Sequence, residues 1–223
     1  MATVTVSVSA TTTFTCSYQG VSDTCTVTAT VYLINDDASA DNSSTLFGNS
    51  IGLRNSGSNT AAYNSNGYYT VKTSSYSGRE SMRVLAPLTG VTDAFVLEYD
   101  SYSEQTDGTS GLVVYNSSTA WEKLSDEVNT QKKYWYGYND GTFHEQDFYG
   151  SVTTYQRWVH YKFTVDGASF SIKVTDPAND NATIVERTET LHFTRGSTTQ
   201  YGFNSEWNSN RTTRYKNIQA YKI

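Results

Sequence analysis

WVHYKFTVDGASFSIKVTD, residues 158–176, decides how the chain is read. Val159, Tyr161, Phe163 and Val165 fall at alternate positions, so they share one face of a strand. Asp166-Gly167 is a tight-turn dipeptide, and Phe170, Ile172 and Val174 return on the same side. Pairing across that turn sets Val165 opposite Phe170 and Phe163 opposite Ile172. Trp158, His160 and Lys162 take the other face. One apolar face and one wet face describe an antiparallel sheet packed on one side only.

The same rhythm extends outward through SMRVLAPL (81–88), AFVLEYDSY (94–102), GLVVYNS (111–117), KKYWYGY (132–138) and KNIQAYKI (216–223). Of the 223 residues only 37% are hydrophobic, but 14% are aromatic, and aromatics bring much buried area per residue. Thr, Tyr and Val suit half-buried strands, while Asn, Gly, Asp and Ser suit the turns between them. The expected fold is all-β: a two-sheet antiparallel β-sandwich of jelly-roll type, with a short N-terminal β segment. A net charge of −6 argues against nucleic acid as a partner, because phosphate binding needs clustered Lys and Arg. No apolar run approaches the roughly 20 residues of a membrane helix, so no membrane insertion is expected.

Residues 1–34 alternate strongly and are expected as an added β segment, 35–44 (NDDASADNSS) as a polar linker, and 45–223 as the sandwich. MATVTVSVSA begins directly in strand-like alternation with no signal peptide, and reads as a piece of a longer protein. Cys16 and Cys25 lie in FTCSYQGVSDTCTV, a hairpin. With a loop over Gln19–Ser22 they face one another, either as a cross-strand disulfide suited to an oxidising, external setting or as two buried thiols.

ATTTFTCSYQGVSDTCTVTA (10–29) resembles the last strands of the bacterial-type Ig-like domains of surface adhesins and phage tail proteins, over about the last third of such a domain. Residues 45–223 resemble the concanavalin A-like lectin/glucanase superfamily, also laminin G-like. The resemblance rests on the 158–176 hairpin followed by YGFNSEW (201–207) and RYKNIQAYKI (214–223), and on FVLEYDSY followed by GLVVYN, which resembles that family's central hairpin. It implies two packed sheets, one of them concave, whose concave face or rim loops hold a sugar, a protein or nothing.

Retaining glycosidases of that superfamily carry a Glu-x-Asp-x-Glu strand. Here Glu98 and Asp100 match, but Tyr102 stands where the second catalytic carboxylate belongs. Glu104 would lie about 20 Å from Glu98 on a straight strand, against about 5–5.5 Å for a retaining pair. Glu98, Asp100 and Tyr102 therefore read as sugar-binding residues or as the wet face of an ordinary strand.

KKYWYGYNDGTFHEQDFYG (132–150) supplies further candidates. Tyr134, Tyr136 and Tyr138 share a face and Trp135 takes the other; such rings stack on sugars or fill a core. Trp121 and Trp207 are expected in loops and are the next ligand candidates, while Trp158 is expected to be structural. His144 is placed in a loop, His160 and His192 in strands. Calcium (Ca2+) is the one cofactor suggested, because sandwich lectins often bind it. Asp36, Asp37, Asp41 and Asn42, or Asp176, Asn179, Asp180 and Asn181, or Asp107 and Asp140, offer oxygens but read equally as polar turns.

The expected function is an extracellular binding module for cell-surface carbohydrate or surface protein, at a cell surface or on a virion, within a larger adhesin or phage tail protein. The alternatives are a glycoside hydrolase of the same fold and a structural or oligomerising fibre module.

Overall fold

The computed structural model of the chain describes residues 12–18, 21–27, 30–55, 57–73, 79–105, 109–128, 132–207 and 211–223. Within these, the side chains of Cys16, Cys25, Tyr134, Trp135, Tyr136 and Trp207 lie outside what is described. In chain order the strands are β1 (Thr12–Tyr18), β2 (Val21–Val27), β3 (Tyr32–Asp36), β4 (Phe47–Arg54), β5 (Asn59–Asn64) and β6 (Tyr68–Thr73). Then come β7 (Arg79–Leu85), β8 (Phe95–Ser103), β9 (Thr109–Ser117), β10 (Ala120–Glu127), β11 (Lys132–Asn139) and β12 (Phe143–Tyr149). The last five are β13 (Trp158–Asp166), β14 (Ser169–Asp176), β15 (Ala182–Thr190), β16 (Gln200–Trp207) and β17 (Thr212–Lys222).

Two antiparallel sheets pack face to face. One runs β15-β14-β13-β8-β17-β6-β5, with β3 added against β17 to make eight strands; the other has seven, β12-β11-β10-β9-β16-β7-β4. The β13–β14 hairpin has the register read from sequence, Val165 opposite Phe170 and Phe163 opposite Ile172. Aromatic rings fill the space between the sheets: Tyr99 stacks on Tyr161 at 5.3 Å, and Phe203 on Tyr215 at 4.0 Å. Each such side chain, fully buried, contributes about 1.5–3 kcal/mol.

β8 and β9 are not the central hairpin expected from FVLEYDSY and GLVVYN. β8 pairs with β13 and β17, and β9 with β10 and β16. The connection changes sheet, so Leu97 and Leu112 meet the core from opposite sides.

The seven-stranded sheet curls away from that core. Its end strands β4 and β12 would be about 29 Å apart if it were flat, yet the Arg54 guanidinium carbon lies 4.6 Å from the centre of the Phe143 ring. Inside the curl sits a second apolar cluster, built from Leu53, Met82, Val84, Val113 and Trp121. Gly111 permits part of this curvature, since a Cβ there would come within 2.2 Å of the Leu124 carbonyl oxygen.

β1 and β2 form a separate two-stranded sheet. Cys16 is opposite Asp23 and Cys25 opposite Phe14, two residues from the register that would set the cysteines face to face. The physical reason is the shorter turn, with Tyr18 opposite Val21. Residues 35–44, expected as a polar linker, pack on the sandwich. Asp36 is buried and accepts from the Ala38 backbone N–H at 2.8 Å, from the Tyr69 hydroxyl at 3.0 Å and from Asn42 Nδ2 at 3.1 Å.

Candidate functional site

β8 is the axis of the wet face. Phe95, Leu97 and Tyr99 are fully buried, so Glu98, Asp100 and Tyr102 point outward. Neighbouring strands align with them in three rows. The first runs from Glu186 through Lys173 and Lys162 to Glu98 and Gln219. The second runs from Thr175 through His160 and Asp100 to Lys216. Trp158, Tyr102 and Arg214 make the third.

Both carboxylates of β8 are held by neighbours. Lys162 Nζ lies 2.9 Å from Glu98 Oε1, and the Tyr221 hydroxyl donates to the same oxygen at 2.8 Å. His160 stands between the two acids, its Nδ1 2.9 Å from Asp100 Oδ1 and its Nε2 3.7 Å from Glu98 Oε2. Asn217 Nδ2 donates to Asp100 Oδ2 at 2.7 Å. Asn217 sits at a β-bulge with φ of 51°, a left-handed conformation that Asn tolerates. The bulge reverses the alternation of β17, so that Lys216 before it and Gln219 and Tyr221 after it all face outward.

Partial burial pushes the Glu98 carboxyl up, but hydrogen bonds from Lys162 and Tyr221 and the Lys162 charge more than offset this and leave it below its ordinary value. Asp100 behaves likewise: burial raises it, and His160, Asn217 and the nearby Lys216 charge bring it below the ordinary range. The paired Lys162 ammonium is held above its usual value, chiefly by its hydrogen bond to Glu98.

The third row is aromatic and cationic. The Tyr102 and Trp158 rings lie 5.6 Å apart at 54°. Arg214 is within 5.0 Å of the Tyr102 ring and 4.9 Å of Tyr68, with its Nε 2.7 Å from Glu104. Lys216 Nζ lies 4.2 Å over Trp158. Over the first two rows an open cavity of about 570 Å3 is lined by Glu98, His160, Lys162, Lys173 and Glu186. Trp158, expected to be structural, lies opposite Tyr102 on the same outer face as Glu98 and Asp100.

The aromatic candidates of β11 fare differently. Tyr138 stacks on His144 at 4.2 Å and on His192 at 4.3 Å, both nearly parallel. Two rings cannot share one face at that spacing, so both faces of Tyr138 are covered and neither is open to a sugar. His144 lies in β12, not a loop, and its Nε2 is 3.2 Å from Asp140. His192 follows β15 instead of lying in a strand, its Nδ1 3.2 Å from buried Glu122. Trp121 is in β10, also not a loop, and is 1% exposed within the curl. The register puts Trp135 opposite Ser125, and Trp207 opposite Arg79 at the end of β16.

The face inside the curl is closed where it is described. Lys123 Nζ reaches Glu80 Oε1 at 2.5 Å, with the two side chains 0% and 1% exposed. Among the described residues, Glu80 Oε2, Trp121 Nε1, Ser125 Oγ and Asn204 Oδ1 are buried on this face without a hydrogen-bond partner.

Among the described residues no three His, Cys, Asp or Glu side chains are grouped to hold a metal ion. Asp37, Asp41, Asp140 and Asp176 each accept from a backbone N–H two residues ahead, as turn residues do. Asp107 lies outside the described residues.

No family model and no curated protein matches the sequence. Solved structures do match. A Lotus tetragonolobus seed lectin aligns with a TM-score of 0.56 at 11% identity, over 86% of this chain and 97% of its own. The chain shares the two-sheet antiparallel jelly-roll fold of that lectin. A Bacillus licheniformis beta-glucanase aligns with a TM-score of 0.54 at 15% identity, over 87% of this chain and 98% of its own. The carbohydrate-binding module CBM66 from Bacillus subtilis aligns with a TM-score of 0.53 at 13% identity, over 79% of this chain and 97% of its own. At such identities the likeness establishes the fold and nothing about chemistry. No helix of the described chain is long and apolar enough to cross a membrane.

Proposed function

We propose that the chain is a non-catalytic carbohydrate-binding module that works outside the cell, as part of a surface adhesin or phage tail protein. One observation carries this reading: an open 570 Å3 cavity lined by Glu98, His160 and Lys162 lies on the same face of the eight-stranded sheet as the Tyr102–Trp158 ring pair. Polar groups that are half-exposed and rigidly held, beside a ring platform, suit sugar hydroxyls and the apolar faces of sugar rings. Fold neighbours described as lectins and as a carbohydrate-binding module support it. The adhesin or tail-protein setting rests on the Ig-like pattern of residues 10–29.

Hydrolysis has less support. A glycosidase acid must hold its proton near neutral pH, which requires a raised pKa, and the Glu98 and Asp100 carboxyls of β8 are lowered. A glycan array probed with the whole chain tests the reading. Binding to a defined set of glycans is the expected result, and no binding to any microbial or host surface glycan would overturn it.

A further inference from the structure

We infer that the saccharide taken by this face is anionic, and that Lys216 is the group that reads its charge. The inference rests on the carbohydrate-binding reading above. Among the described residues Lys216 is the cation of the site that has no ion-pair partner. Lys162 is paired with Glu98 at 2.9 Å, Lys173 with Glu186 at 2.9 Å, and Arg214 with Glu104 at 2.7 Å. Lys216 stands directly opposite Asp100 in the sheet, the position where a cross-strand ion pair would form. Asp100 is taken instead, one oxygen by His160 and the other by Asn217, which the bulge of β17 turns toward it. Among the described residues Lys216 makes no hydrogen bond or ion pair, and its ammonium rests on the indole of Trp158, 4.2 Å from the ring centre.

A cation on a half-buried ring at a wet surface is held weakly, and a carboxylate or sulfate competes for it well. An acidic sugar arriving over Tyr102 and Trp158 would draw Lys216 off the indole into an ion pair. The same movement uncovers the ring for stacking. A neutral sugar must displace the lysine without that compensation, so the lysine also acts as a filter. The neighbouring negative charge of Asp100 opposes any anion that fails to engage Lys216 directly.

The test is affinity electrophoresis or calorimetry of the whole chain against two matched pairs. Polygalacturonate and its methyl ester probe carboxylate; dextran sulfate and dextran probe sulfate. The acidic member of at least one pair should bind about tenfold more tightly, the worth of one charge-assisted hydrogen bond. Lys216→Gln should remove that preference at an unchanged melting temperature, and Lys72→Gln, an exposed cation elsewhere on the same sheet, should retain it. Equal binding of neutral and acidic members, or a preference that survives Lys216→Gln, overturns this inference and leaves carbohydrate binding standing. Binding of no saccharide in these pairs or on a glycan array overturns both.

Discussion

Arg54 and Phe143 belong to opposite edges of the seven-stranded sheet, yet the guanidinium of one rests 4.6 Å from the ring of the other. Their contact closes the curl over Trp121 and the Glu80–Lys123 pair. Phe143→Ala should therefore do more than remove one half-buried ring. About 1–3 kcal/mol of stability should be lost in urea denaturation, with faster hydrogen exchange in β4 and β12. Unchanged exchange in β4 would show that the edges are not coupled.

The Glu80–Lys123 pair is buried on both sides, so breaking it leaves a buried charge without its ion-pair counterpart. Lys123→Met or Glu80→Leu alone should cost about 3–5 kcal/mol, and the double replacement should recover most of that loss. Additive losses in the double-mutant cycle would show that the two groups do not depend on each other.

The depressed carboxyls of Glu98 and Asp100 fix the sign of a pH effect. Their folded-state pKa values lie below the unfolded ones. Their stabilisation is thus complete above the ordinary carboxylate range and is lost as pH falls from about 5 through 4 toward the folded values. The melting temperature of the wild type should fall across that window, and less steeply in Glu98→Gln and Asp100→Asn. Equal slopes in all three proteins would contradict the assignment.

Much of this was legible in the sequence wherever one face of a strand is buried and the other wet. Val159 to Val165, and Phe95 to Tyr99, show their alternation openly, and the structure gives them the expected faces. The pattern failed where that premise failed. Inside the curl β10 is buried on both faces, so AWEKLSDE carries no alternation and Trp121 read as a loop residue. The bulge at Asn217 breaks the period, leaving Tyr215, Ile218 and Ala220 as core positions spaced three and then two apart. Lys216 and Tyr221 could not be assigned to the same surface without it. Nothing local in residues 104–108 marks that the chain leaves one sheet for the other.

Tyr138 is held as a structural aromatic. Clasped between His144 and His192, it ties β11 and β12 to the segment after β15. Tyr138→Ala should lower the melting temperature by several degrees, about 1 kcal/mol or more, and leave glycan affinity unchanged. A loss of affinity at an unchanged melting temperature would move the binding site to β11.

The most direct measurement is calorimetric affinity for the best-bound array glycan, compared between the wild type and Trp158→Ala. Trp158 is half-exposed on the outer face, so its removal should leave the melting temperature nearly unchanged. The account predicts a loss of about tenfold or more, the worth of one ring platform. Unchanged affinity in a folded Trp158→Ala protein would contradict the placement of the site on the eight-stranded sheet.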